Sequence, residues 1–283
     1  MTEQYLQEIR DYIKDADAVL ITAGAGVGVD SGLPDFRGDE GFWKAYPVIK
    51  DLGISFSEMA NPQWFQSKPT LAWAFYGHRL NLYRETIPHE GFKMLLNLVK
   101  EKNEDYFIYT SNVDGQFQKA QFDEEKIVEV HGSILHNQCS VNCSREIYDA
   151  PQEHIEIDMQ KFEATTLPQC KNCNGIARPN IMMFGDWDWR EKRTYQQKVR
   201  FKKWLRNVEL ENKKLVIIEI GAGTAIPTIR QKGEMMVENY NNTKLIRINP
   251  REFDIGKNLG WSVTEGGLAG LSKILLNDGE HNA

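Results

Sequence analysis

A chain of 283 residues holds one large domain or a domain with a smaller module, and 41% hydrophobic residues with seven Trp supply a substantial core. A net charge of −6 argues against general nucleic-acid binding, and no apolar run approaches the ~20 residues of a membrane span. The polar, acidic start Met1-Thr2-Glu3-Gln4-Tyr5 lacks the charged-then-apolar layout of a signal peptide, so a cytoplasmic protein is expected.

Residues 4–15 place Tyr5, Ile9, Tyr12 and Ile13 at helical spacing, which predicts an amphipathic first helix. The apolar run Ala18–Thr22 then breaks into a glycine-rich turn, Gly24-Ala25-Gly26-Val27-Gly28. Glycines let backbone N–H groups approach a phosphate, although Val29 stands where the ordinary dinucleotide fingerprint has its third glycine. The turn continues into Ser31-Gly32-Leu33-Pro34-Asp35-Phe36-Arg37-Gly38. Residues 46–100 are rich in aromatics and read as helical, with helices over 68–84 and 90–101.

Strands are predicted at Tyr106–Thr110, Ile127–Val130, Leu215–Ile220 and Leu245–Ile248. Strands alternating with helices imply an α/β fold with a Rossmann-like, doubly wound parallel sheet, whose ligand sits beyond the carboxyl ends of the strands. Thr110-Ser111-Asn112-Val113-Asp114-Gly115 and His131-Gly132-Ser133 each leave such a strand end, so the two loops are expected to meet over one crevice. An imidazole suits proton transfer near neutral pH, although a lone buried His is more often structural.

All four cysteines fall in two pairs, Cys139-x-x-x-Cys143 and Cys170-x-x-Cys173. Without export signals this spacing suits tetrahedral Zn²⁺ better than disulfides, and a closed four-thiolate set makes the metal structural. The division expected is a discontinuous nucleotide-binding domain from 1–45, 101–134 and 187–283, with a small lobe made of a helical insertion, 46–100, and a zinc module, 135–186. Residues 187–214 carry ten Lys/Arg against four Asp/Glu. With Phe201, Trp204, Leu205 and Val208 at helical spacing, the charges read as a solvated helix face; the sharper alternative is a docking strip for acidic partners or nucleic acid. Trp187 and Trp189 line substrate or fill core, and the polar tail after Asn277 is expected to fray.

Taken in order, the glycine turn with its SGLPDFRG tail, TSNVDG, VHG, the cysteine pairs, ARPNIMMFGD, Gly221-Ala222-Gly223-Thr224 and Ile248-Asn249-Pro250 resemble the sirtuins, the NAD-dependent protein deacylases. The resemblance spans roughly Ala18 to Gly267. It implies an NAD⁺ site in which Gly24, Ala25, Gly26, Asp35, Phe36 and Arg37 form the first loop, with the pyrophosphate at Ala25, Gly26 and Arg37. Phe36 covers the reacting ribose carbon. Asn112 and Asp114 line the nicotinamide pocket and belong with His131, the general base, to the catalytic set; Ser111 also contacts the cofactor, and Gly221, Gly223 and Asn249 take the adenosine end. Met182, Phe184 and Gly185 belong to the segment that pairs with an acyl-lysine peptide. The expected partners are therefore acylated proteins, with neither membrane nor nucleic acid among them.

Tyr76 and Arg79, three apart on one helix face, resemble the pair found in sirtuins that remove negatively charged acyl groups such as succinyl or malonyl. Packing of Tyr76 in the helical lobe and an ordinary ion pair for Arg79 are the plain alternative. Four positions depart from the family pattern: Gly28 and Gly223 for Ser, Ser111 for Gln and Phe117 for His. The two lost hydroxyls and the shortened amide each remove a hydrogen bond worth about 0.5–1.5 kcal/mol, one of which Thr224 is placed to restore, and this bears on NAD⁺ affinity more than on chemistry. NAD⁺ hydrolysis or ADP-ribosyl transfer without an acyl-lysine, and non-catalytic binding of NAD⁺ or acyl-lysine, are the rival readings.

Overall fold

The computed structural model describes residues 1–35, 38–256 and 258–276, so Phe36, Arg37 and the tail after Leu276 lie outside the described residues. In chain order the strands are β1 (Ala18–Ala23), β2 (Tyr106–Thr110), β3 (Ile127–Glu129), β4 (Gly132–Cys139), β5 (Tyr148–Asp149), β6 (Ile157–Asp158), β7 (Glu163–Ala164), β8 (Ala177–Ile181), β9 (Leu215–Ile220), β10 (Thr243–Ile248) and β11 (Gly260–Val263).

Six of them make one wholly parallel sheet in the order β3-β2-β1-β9-β10-β11. β1 and β9 read as unbroken apolar runs because both faces of the sheet are covered. Alternate residues serve the two faces. Val19, Ile21, Val216 and Ile218 join a core cluster with the helices Glu3–Asp15, Glu90–Glu101 and Gly267–Leu275. Leu20, Phe107, Leu215 and Ile217 join another with the helices Lys192–Leu210 and Thr228–Asn239. The helix Glu90–Glu101, grouped with the helical insertion in the sequence reading, packs against this sheet through Phe92, Leu95 and Val99.

Strand order reverses between β1 and β9, so a crevice opens beyond their carboxyl ends. A third cluster forms the small lobe, centred on the helix Pro69–Glu85 with Trp73, Phe75 and Tyr76 fully buried. Against it pack the antiparallel sheet β5-β4-β8 and the hairpin β6-β7. The third large-sheet strand and the small sheet are nearly continuous, with only Val130 and His131 between β3 and β4. No helix among the described residues is long and apolar enough to cross a membrane.

Candidate active site

A cleft of about 890 Å³ lies at the strand-order reversal, between the large sheet and the small lobe. Its floor is made by two glycine turns. After β1 the chain enters a 3₁₀ turn, Ala25–Ser31, and after β9 it turns at Gly221, whose φ is +63°. The two turns touch through main chain alone: a Cβ on Gly221 would lie 2.4 Å from Gly26 Cα, and one on Gly24 would lie 2.8 Å from the Gly221 carbonyl oxygen. Only glycine permits that approach.

The loops after β2 and β3 form the inner wall. Thr110 Oγ1 donates to Ala23 O at 3.0 Å and accepts from Asn112 N at 3.0 Å, fixing the turn that presents Ser111, Asn112 and Asp114 to the cleft. Asp114 Oδ1 accepts from Gln116 N at 3.0 Å. Burial nevertheless pushes the Asp114 carboxyl up to about 6, with nearby Glu129 adding to the rise and Arg79 opposing it.

His131 follows β3, and its carbonyl oxygen accepts from Met182 N at 2.9 Å. Gly132, at φ +80°, brings the chain so close to β8 that a Cβ there would lie 2.0 Å from Asn180 O. Burial pulls the His131 imidazole below its usual 6.5; a hydrogen bond to the Ser111 main chain opposes this, and the Lys198 ammonium reinforces it. The ring is therefore neutral at neutral pH and has a nitrogen ready to take a proton.

The far wall belongs to the helix Pro69–Glu85, whose Tyr76, Arg79 and Tyr83 all line the cleft. Arg79 is buried, donates through Nε and Nη2 to the Tyr83 hydroxyl at 3.0 and 2.8 Å, and lies within 5.1–5.7 Å of the ring centroids of Phe75, Tyr76 and Tyr83. Tyr83 was missed by the sequence reading, although its spacing of i+7 from Tyr76 and i+4 from Arg79 puts it on the same face.

The cleft thus brings together Gly24, Ala25, Asp35, Ser111, Asn112, Asp114, His131, Gly221, Gly223, Tyr76, Arg79, Met182 and Phe184. Three expected site residues are not on its walls. Gly26 lies behind the floor, with its N–H on Gly221 O at 3.0 Å. Asn249 is buried, donating to Ala222 O at 2.9 Å and accepting from Arg251 N and Glu252 N, so it shapes the turn that carries Arg251 and Glu252 to the cleft. Gly185, at φ +67°, forms the turn between Phe184 and Asp186. Asp186 makes a buried bidentate pair with Arg178 at 2.8 Å, which fixes the base of this segment. Phe36 and Arg37 fall outside the described residues.

Sequence reasoning also passed over Arg251 and Glu252. Arg251 reaches across the cleft mouth to Asp35 at 2.9 Å, and Glu252 accepts from Thr224 N at 3.0 Å. Trp187, expected on substrate or in core, is 97% exposed.

The four cysteines converge, with every Sγ within 4.8 Å of the others. Cys139 and Cys173 lie 3.7 Å apart and Cys143 and Cys170 3.5 Å. Tetrahedral Zn²⁺ with Zn–S bonds of about 2.3 Å requires sulfurs roughly 3.8 Å apart, so the donor set fits that ion. A closed thiolate set leaves no position for substrate.

A family model described as the Sir2 family matches residues 24–208. The chain belongs to the Sir2 family. A protein of Aquifex aeolicus named NAD-dependent protein deacylase is 28% identical over 257 residues, covering 90% of this chain and 93% of its own. One of Leptospira interrogans with the same name is 32% identical over 185 residues, 65% of each chain. A crystal structure of a Sir2 homologue–NAD complex superposes with a TM-score of 0.65 over 97% of this chain and 93% of its own, at 21% identity, which establishes a common fold.

Two departures from the family pattern have local causes. A Cβ at Gly28 would meet Leu33 Cδ1 at 3.0 Å, so Leu33 takes up the space of the usual Ser. Phe117 sits in the core between Phe92 and Phe122, away from the cleft.

Proposed function

We propose that this chain is an NAD⁺-dependent protein lysine deacylase whose pocket favours acyl groups ending in a carboxylate. The observation that carries this reading is a single cleft lined by paired glycine turns, by His131 with Asn112 and Asp114, and by a buried arginine on the facing wall. When bound, NAD⁺ supplies a ribose with an activated nicotinamide leaving group, and the products are nicotinamide, 2′-O-acyl-ADP-ribose and free lysine.

The chain itself binds, orients and moves a proton. The glycine turns at Gly24–Ala25 and Gly221 line the cleft with main chain, which suits the close approach of a pyrophosphate. Asn112 and Asp114 position the reacting end, and neutral His131 accepts the proton of a ribose hydroxyl. Met182 and Phe184 flank the lysine, while Arg79, braced by Tyr83, presents its guanidinium with the Tyr76 phenol to an acyl carboxylate. The four cysteines hold Zn²⁺ as a structural ion.

The test is mass spectrometry of products formed from NAD⁺ with acetyl-, malonyl- and succinyl-lysine peptides. Acyl-ADP-ribose in all peptide reactions, with turnover highest on the acidic acyl groups, is the expected result. Nicotinamide release that needs no peptide would instead make the chain an NAD⁺ hydrolase or ADP-ribosyltransferase. Equal or better acetyl turnover would remove the charged-acyl preference.

A further inference from the structure

Four cations on and just beyond the helix Lys192–Leu210 are neutralised by carboxylates, while Lys192, Lys203 and Arg206 have no ion pair among the described residues. Arg193 pairs with Glu129, Arg200 with Glu125, Lys213 with Asp105 and Glu211, and Lys214 with Asp15. For these, the solvated-face reading of the sequence suffices.

The side turned toward the helix Thr228–Asn239 is different. Lys198 and Lys202, four apart, share one face of their helix, and Lys232 comes from the facing helix. The Lys232 ammonium lies over the rings of Phe201 at 5.1 Å and Tyr109 at 5.6 Å, half-buried beside Lys202. None of the three has a carboxylate at ion-pair distance among the described residues. Lys202 and Lys232 repel each other, and Lys198 acts on the His131 ring. Like charges gathered without counter-charge disfavour the folded state, so the arrangement suits an anion that arrives from outside.

Its position selects the anion. Thr228, one helical turn before Lys232, lines the cleft, and so does His131, whose ring feels the Lys198 charge. Ile226 and Phe184 are exposed apolar residues on the cleft wall, at 45% and 42% exposure, suited to an extended peptide rather than to a phosphate backbone. The strip therefore begins where a peptide held at the cleft would leave it.

We propose that Lys198, Lys202 and Lys232 form a docking strip for acidic residues flanking the acyl-lysine of the substrate protein. The proposal rests on the deacylase reading, and it adds that substrate choice is made by flanking charge as well as by the acyl group.

Two measurements test it, one independent of turnover. Fluorescence anisotropy of labelled peptides with Asp/Glu or Lys flanks, acylated and not, reads docking directly; kcat/KM on the acylated pair reads its use. At low salt the acidic-flanked peptide binds about tenfold tighter and is turned over about tenfold more efficiently, and the gap closes as added salt shortens the Debye length to about 3 Å. K202E and K232Q reduce the gap, while K93E on the distant helix Glu90–Glu101 leaves it intact. Equal binding of the two peptides at low salt overturns the proposal, as does a preference that survives in K202E with K232Q. Tighter binding of a single-stranded oligonucleotide through the same lysines also overturns it. Charge-dependent binding without turnover would sustain the strip and sink the deacylase reading.

Discussion

The N–H of Gly26 donates to the carbonyl oxygen of Gly221 at 3.0 Å, locking the two turns of the cleft floor back to back. Two substitutions at this floor should behave oppositely. Gly221→Ala forces a side chain to φ +63° and 2.4 Å from Gly26 Cα, so it should cost about 2 kcal/mol or more and weaken NAD⁺ binding over tenfold. Gly223→Ser adds a Cβ at 3.4 Å from Glu252 Oε2, an ordinary contact, and restores a hydroxyl; NAD⁺ should bind about 2–10-fold tighter. Thermal melts with calorimetric NAD⁺ titration check both.

Arg79→Met should separate the acyl groups. A charge-assisted hydrogen bond is worth about 1.5–3 kcal/mol, so kcat/KM on succinyl-lysine should fall roughly 10–150-fold while acetyl turnover stays within about threefold. Arg79→Lys should recover little, because a single ammonium cannot meet both Tyr83 and a carboxylate in the geometry of the guanidinium fork. Steady-state kinetics on the two peptides decide it, and parallel losses on both would refute the assignment.

Acid should switch the reaction off through His131. Burial lowers its pKa below 6.5, so the neutral base predominates at pH 7–8 and gains its proton only as pH falls further. Asp114, raised to about 6, protonates in the same region. The acid limb of kcat/KM should therefore lie near or below pH 6, with a plateau above pH 7. A limb centred above 6.5 would contradict the neutral imidazole.

Asp114 should also carry a stability cost. Its folded pKa is raised from 3.8 to about 6, so the folded state binds the proton more tightly than the unfolded chain. Stability from this group is full below about pH 3.8 and is lost as pH rises through about 6. The carboxylate is partly open to the cleft, which keeps the loss to about 2 kcal/mol at pH 7. Asp114→Asn should raise Tm at pH 7, lose that advantage near pH 4, and lower activity. Melts of the two proteins across this range provide the check.

Metal removal should act at a distance. A chelator or Cys170→Ser should release zinc, lower Tm and reduce turnover, whereas NAD⁺ binding at the glycine turns should weaken less. Atomic absorption, melting curves and NAD⁺ titration on the same samples separate these effects.

The large sheet was legible because β1, β2, β9 and β10 are covered on both faces and so read as apolar runs bounded by turn residues. β11 escaped because Gly260-Trp261-Ser262-Val263 is a short edge strand in which only Val263 is buried. The helices between residues 38 and 67 are four to eight residues long, too short to show a period. Within the site, polar residues following strand ends could be found by position, and cysteines by spacing. The direction of a side chain could not: Asn249 follows β10 as expected, yet its amide turns inward to hold the next turn. Arg251 and Glu252 reach the cleft only because of that inward turn.

β4 begins at Gly132, next to His131, and ends at Cys139. At about 3.3 Å per residue, one strand of roughly 23 Å ties the proposed general base to a proposed metal ligand. Cys143 and Cys173 are exposed at the far end. An oxidant or electrophile that modifies those thiols need never enter the cleft to act on it: if the strand loosens, His131 should shift relative to Asn112 and Asp114, and turnover should fall with the loss of thiols that line no part of the cleft.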